Sequence, residues 1–402
     1  MLSWEHTPSL TSMQRDRAWI EIDLAALAHN VQQLRQKVSP NTELMAVVKA
    51  DAYGHGAVTI AKTALHHGAT WLGVATIPEG IELRGAGIQA PILLLGAANT
   101  ADQVRAIAQW QLQPTLCTAK QALVFSEALE DMSLSHPLPV HLKIDTGMSR
   151  LGAPWQEAAE FAQWVQRSPH LHIASVYSHL ATADDPDPTT MQLQHHRFQE
   201  AIAQIRAVGI QPPRLHLANS AATLANPALH YDLVRVGLGL YGLHPAPHLA
   251  ATVSLKPVLQ VKARVTQIKP IPAGTGVSYG YKFIADHDLL LAVVGIGYAD
   301  GVPRNLSNRL SVLIRGQRVS QIGAITMDQL MLDVSAIPDL QVGEVVTLLG
   351  QDGGDASRHR LLVEDWATAL GTISWEILCG FKHRLPRLTI NQAIELSERV
   401  KG

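Results

Sequence analysis

Apolar and polar positions alternate with a repeating rhythm along the first two-thirds of the chain. Short β-rich runs occur at Leu44–Val48, Trp71–Ala75, Pro91–Leu95, Leu112–Leu116, Val140–Ile144, Leu171–Tyr177, Arg214–Leu217 and Leu233–Val236. Helix-like stretches such as Ala57–His67, Asp102–Trp110, Lys120–Glu130, Gln156–Gln166 and Met191–Ala207 lie between them. Eight strands alternating with helices predict an α/β fold, a parallel (β/α)8 TIM-type barrel, with a doubly wound sheet as the competing arrangement. Past about Ala250 the texture changes. Val261–Lys269, Leu289–Val294, Leu310–Arg315, Arg318–Ile325, Leu330–Val334 and Glu344–Leu349 read as strands separated by turns, with short helices at Val363–Leu370 and Ile373–Cys379. Gly350–Asp355 reads as a surface loop. The expected layout is an N-terminal tail over 1–16, the barrel over 17–250, a mainly β C-terminal domain over 251–390 and a C-terminal tail over 391–402.

Length and composition agree with this division. A chain of 402 residues exceeds one ordinary core, and 47% hydrophobic with 16% charged residues describes a compact globular enzyme. A net charge of -2 leaves no electrostatic footprint for nucleic acid or an anionic membrane. Only Cys117 and Cys379 occur, far apart, which excludes a disulfide framework and suits a reducing compartment. The start lacks the basic and apolar regions of a secretory signal, and the longest apolar runs are too short to span a bilayer. The expected location is the cytoplasm.

Candidate chemistry collects where the strands end, as barrels require. The first run ends on Lys49, an amine that burial would keep neutral and able to attack an aldehyde. A lysine merely reaching solvent is the plainer reading of that residue alone. The fifth run leads through Lys143 and Asp145 to Arg150, the sixth into Ser178 and His179, the seventh into Asn219 and Ser220, and the eighth into Gly237, Leu238 and Gly239. Small residues on the last two loops suit a phosphate, although Asn-Ser also makes an ordinary helix cap. With Lys49 they point to pyridoxal 5'-phosphate as cofactor. No metal is expected, because the adjacent pairs His66-His67 and His195-His196 are not at ligand spacing.

The chain also resembles the alanine racemases. The stretch Ala46–Gly56 is similar to that family's cofactor-lysine signature, and further matching segments follow in order at His141–Gly152, Tyr177–His179, His216–Ala222, Val234–Gly237, Val277–Gly280, Gly297–Gly301 and Met327–Gln329. The resemblance implies interconversion of L- and D-alanine by a two-base mechanism, supplying D-alanine for peptidoglycan, in a homodimer whose active sites are shared between subunits. A broader amino-acid racemase, another reaction on the same scaffold and a non-catalytic cofactor carrier are the alternatives.

What it implies for single residues is specific. Lys49 would bind the cofactor and move a proton on one face of the substrate, and Tyr279, from the other subunit, on the opposite face. A phenol needs nearby positive charge to act as a base near neutral pH. Arg235 would face the pyridine nitrogen, with His216 holding it in place. Tyr53, Ser220, Gly237 and Leu238 would hold the phosphate, Asn219 would also bind the cofactor, and His179 would pack near the ring. Arg150, Tyr298 and Met327 would bind substrate, with Lys143, carbamylated in the family, and Asp328 in support. Two positions depart from the pattern: Trp375 stands where a phosphate-binding tyrosine is usual, and Thr326 where a cysteine is common.

Overall fold

The structure, a computed structural model, describes residues 15–132, 134–353 and 360–391. The expected tails and the end of the 350–355 loop therefore lie largely outside the described residues. The chain divides into two compact units.

The first unit comprises Ala26–Ala52 and Gly56–Lys256. Each of the eight expected strands is present, at Glu43–Val47, Trp71–Val74, Ile92–Ala97, Gln113–Leu116, Leu138–Asp145, Leu171–Tyr177, Leu215–His216 and Leu233–Val236. The eighth strand pairs with the first, and each of the first six with the next in sequence, always in parallel. The seventh and eighth meet through Asp232 N–H to Leu215 O and Arg235 N–H to Ala218 O, both at 3.0 Å, so the sheet nearly closes. A doubly wound sheet, which reverses its strand order at a switch point, does not describe this order. Because every strand is parallel, all eight carboxyl ends lie at one mouth.

Helices absent from the sequence expectation also occur, at Leu24–Lys37, Ile77–Gly85 and Ser220–Ala225. Ile77–Gly85 carries Pro78 and two glycines, which blur a helical pattern, and its start is set instead by a capping box between Thr76 and Glu79. The single turn Lys49–Gly54 is unusual. Ala50, Asp51, Ala52 and Tyr53 all have φ between 52° and 55°, so this turn winds left-handed. Each non-glycine residue in that conformation costs roughly 1–2 kcal/mol, so other contacts must hold it. Gly54 and Gly56, at φ of 83° and 96°, carry the chain out of it.

The second unit takes the described residues up to Ala25, Tyr53–His55 and those from Pro257 onward. Its nine-stranded sheet includes Leu259–Ile271, Leu289–Val294, Ser311–Ile314, Gln317–Ile322, Leu330–Asp333 and Val345–Gln351, and pairing of the last of these with Leu259–Ile271 closes the six on themselves. Ile271, Val277, Leu291, Val293, Ile322 and Met331 form an apolar core here. The barrel boundary expected at residue 17 shifts: Ala18–Asp23 belongs to this β unit, with Ala18–Ile22 pairing antiparallel with Leu259–Ala263 and Ile20–Asp23 parallel with Arg387–Ile390. Those pairings bridge more than two hundred residues, and local pattern carries no trace of them. The expected helices appear as Val363–Leu370 and Ser374–Gly380. Among the described residues no helix is long and apolar enough to cross a membrane.

Candidate active site

Lys49 follows the first barrel strand directly, and Val48 extends the ladder by donating to Gly73 O at 2.9 Å. The Tyr241 hydroxyl donates to Val47 O at 2.9 Å, tying the segment after the eighth strand to the end of the first. The Lys49 amine makes no hydrogen bond or ion pair among the described residues, yet its charge is felt by both Lys143 and His179.

Arg235, on the eighth strand, is 4% exposed. Its Nη2 donates to Ser178 O at 2.7 Å, Leu217 O at 3.1 Å and His179 Nδ1 at 3.3 Å, and its Nη1 to His216 Nδ1 at 3.0 Å. Because a guanidinium only donates, every hydrogen bond behind it acquires a direction. His216 accepts at Nδ1 and so carries its hydrogen on Nε2, which donates to Ser175 Oγ at 2.8 Å. The Ser175 hydroxyl donates to His141 Nδ1 at 2.6 Å, and His141 Nε2–H to Gln113 Oε1 at 2.8 Å. Five successive strands, the fourth to the eighth, each contribute one residue to this chain. Both imidazoles must be neutral for it to run, and burial makes them so: it lowers His141 to about 3 and His216 well below its ordinary value, with nearby arginines adding to the effect. Tyr177 stacks flat on His216 with centroids 4.6 Å apart, and its hydroxyl meets Thr115 Oγ1 at 2.7 Å.

The loop after the fifth strand carries Arg150. Asp145 accepts from the N–H groups of Gly147 and Ser149 at 2.9 and 3.0 Å, and Gly152, at φ 124°, packs where a Cβ would meet Asp145 N at 2.6 Å. Lys143, Asp145, Arg150, Ser178 and His179 line one small cleft. Burial lowers Lys143 to about 8, with Arg235 and Arg150 contributing, and burial and the same cations lower His179 strongly. The cleft holds an excess of positive charge.

At the seventh and eighth strand ends, Ser220 Oγ accepts from Gly237 N at 3.0 Å and Gly239 N at 3.4 Å. Asn219 caps Ser220–Ala225 by accepting at Oδ1 from Ala222 N at 3.0 Å, which directs its oxygen to the helix start. Leu238 follows Gly237 on the same short loop.

The other expected residues lie in the β unit. Tyr279 is 71% exposed at the tip of a hairpin formed by Gly276–Val277 and Phe283–Ile284, and Ser278, at φ 64°, anchors it by donating to Ala324 O at 2.7 Å. Tyr298 and Met327 come together through backbone bonds, Tyr298 N to Thr326 O and Ala299 N to Met327 O, both at 3.0 Å. Gly297 allows this approach, since a Cβ there would lie 2.3 Å from Thr326 O. Asp328 pairs with Arg384 at 2.8 Å. Tyr53 is largely buried and its phenol is raised to about 12 by desolvation, so it remains a hydrogen-bond donor. Trp375 is half-buried in the first turn of Ser374–Gly380.

Sequence reasoning missed two sets of residues. Gln113, His141 and Ser175 belong to the buried chain behind Arg235, and the signal available was a polar residue at an interior position of each of three mainly apolar strand runs. Asp300, fully buried, is gripped by both Arg17 Nη atoms at 2.7 and 2.8 Å and approached by Arg384 Nε at 3.4 Å. It also accepts from Gly297 N at 2.9 Å, which fixes the backbone beside Tyr298.

The profile of the alanine racemase N-terminal domain matches residues 22–245, and that of the alanine racemase C-terminal domain matches residues 258–389. The chain belongs to the alanine racemase family. An alanine racemase of Nostoc sp. is 69% identical over 374 residues, covering 93% of this chain and 96% of that protein. The alanine racemase of Synechocystis sp. is 64% identical, over 94% and 100% of the two chains. The crystal structure of alanine racemase from Streptomyces lavendulae superposes with a TM-score of 0.86 at 36% identity, covering 96% of this chain and 98% of that one.

Membership makes the chain an amino-acid-racemising isomerase that uses pyridoxal 5'-phosphate. The alanine racemase barrel described here suits that group. It offers an uncommitted amine at a strand end, a fixed guanidinium, small residues with backbone donors, and a positive field that a phosphate and a carboxylate would neutralise.

Proposed function

We propose that the chain interconverts L- and D-alanine, with Lys49 and Tyr279 as its two acid–base groups. The observation that carries this reading is the Lys49 amine, which follows the first barrel strand without a hydrogen-bond or ion-pair partner among the described residues, at the same mouth as the immobilised Arg235. Another buried lysine, Lys262, is a poorer candidate, because its amine already donates to Thr347 Oγ1 and Gln351 O at 2.8 Å each.

When bound, pyridoxal phosphate would supply an aldehyde for the lysine and an electron-withdrawing ring. Lys49 Nζ would take or return the α-proton on one face and Tyr279 Oη on the other. Arg235, able only to donate, would leave the ring nitrogen unprotonated and so moderate the ring's electron withdrawal, which favours immediate reprotonation over side reactions. Ser220 with the amides of Gly237 and Leu238, and Tyr53 as donor, would hold the phosphate. Arg150, with Tyr298 and Met327 from the second subunit, would hold the carboxylate, and His179 would pack beside the ring.

The exposure of Tyr279 supports a shared site. A largely exposed tyrosine, with Tyr281 at 69% and Ile284 at 59% on the same hairpin, suits a surface that a second copy covers. An open groove lined by Val277, Leu291, Val293 and Met331 includes the base of that hairpin. We further propose that the homodimer works in the cytoplasm, supplying D-alanine for peptidoglycan. Lys143, with part of its amine neutral near pH 7, is suited to carbamylation, which would give Arg150 an anionic partner.

Borohydride reduction of the loaded enzyme followed by peptide mapping should label Lys49; label on another lysine would overturn the assignment. Tyr279→Phe should lower racemisation by about a hundredfold or more, and an unchanged rate would reject the phenol as second base.

A further inference from the structure

The left-handed turn after Lys49 is bracketed by two carboxylates. At its end, Asp51 Oδ1 accepts from Ala57 N at 2.7 Å while Asp51 O accepts from Gly56 N at 3.0 Å. At its start, Glu79 Oε1 accepts from Ala50 N at 2.8 Å. The other oxygen of Glu79 is committed elsewhere, accepting from Ala75 N at 2.7 Å and Thr76 N at 3.0 Å. One carboxylate thus joins the loop after the second barrel strand, the first turn of Ile77–Gly85 and the peptide immediately following Lys49. Of Ala50, Asp51, Ala52 and Tyr53 only Asp51 is of a type that visits positive φ, so the turn depends on contacts such as these.

We propose that Glu79 is a positioning residue for Lys49: by accepting the Ala50 N–H it holds the strained turn and so fixes the direction in which the lysine side chain leaves the strand. This rests on Lys49 being the reacting amine. An ionised carboxylate is suited to the task because it has acceptor capacity for all three amides and makes charge-assisted bonds to them.

Glu79→Gln separates this role from capping. A glutamine has one oxygen and one NH2 group. Pointing the oxygen at Ala75 and Thr76 satisfies two donors, whereas the reverse orientation satisfies one and opposes two, so the variant keeps the cap and sets its NH2 against the Ala50 N–H. Thr76→Ala is the control, weakening the same helix start without touching Ala50.

In apoprotein of Glu79→Gln, amide exchange at Ala50, read by NMR, should quicken about tenfold. Loaded with cofactor, it should lose about tenfold in kcat with KM within about twofold. Thr76→Ala should leave both quantities at the parent's values. Parental exchange at Ala50 in Glu79→Gln would overturn the proposal, as would faster exchange with an undiminished kcat, or equal losses in Thr76→Ala. Exchange in apoprotein reports the Glu79 contact whichever lysine reacts, whereas borohydride mapping reports the lysine, so failure of one reading is distinguishable from failure of the other.

Discussion

Arg235 shows how one residue's chemistry orders its neighbours. A guanidinium cannot accept a hydrogen bond, so His216, Ser175, His141 and Gln113 behind it are left with a single consistent set of donors and acceptors. Ser175→Ala cuts the chain at its middle, leaving His216 Nε2–H without an acceptor. His216 is then free to carry its hydrogen on Nδ1, where it opposes the arginine. The expected result is a mixed His216 tautomer in 15N-histidine NMR and a loss of about tenfold in kcat; a single parental tautomer with parental turnover would show that Arg235 is held by its carbonyl contacts alone. Lys49 and Arg150 stand out in the sequence as charged residues where apolar runs end, whereas Arg235, inside the eighth run, is named only by the family resemblance. Gln113 and Ser175 were not legible, because a polar residue inside a strand run reads as noise until its partner on the neighbouring strand is known.

At the scale of elements, the barrel interior is divided. Met45, Trp71, Leu93 and Leu233, from the first three strands and the eighth, form an apolar cluster, while the fourth to eighth carry the polar chain. That division makes stability depend on pH in a stated direction. His141 titrates near 3 in the fold against about 6.5 in the unfolded chain, and His216 shifts the same way. Below about pH 6.5 the unfolded chain binds protons that the folded chain refuses, so stability falls as pH drops toward 3. Urea unfolding at pH 7 and pH 5 should show the loss, and His141→Gln should reduce its size; an equal loss in the variant would place the proton uptake elsewhere. Lys143 acts at the other end of the scale. Its buried charge is relieved as pH rises from about 8 to 10.5, so an unmodified lysine adds stability across that window. The eight barrel strands were legible because each announces itself locally. The left-handed turn was not, since its residues are ordinary ones forced by distant acceptors, and Ala18–Asp23 was misplaced because its partners lie at the far end of the chain.

For the whole molecule, the decisive question is which chain completes which site. If the second base comes from a partner in a symmetric dimer, two inactive variants should rescue one another. Mixing Lys49→Ala with Tyr279→Phe under conditions that exchange subunits should restore about a quarter of parental activity, because half the dimers are hybrids and each hybrid has one complete site. No recovery, with hybrids verified by mass spectrometry, would place both bases in one chain. The sequence made the division into barrel and β unit legible through its change of texture near residue 250. It held no sign of how far Tyr279 would stand from its own unit's packing.

That outward placement has a kinetic corollary. If half of each reaction chamber lies on another molecule, output at scarcity should rise with the square of chain number, and dilution alone should silence the enzyme reversibly without unfolding it.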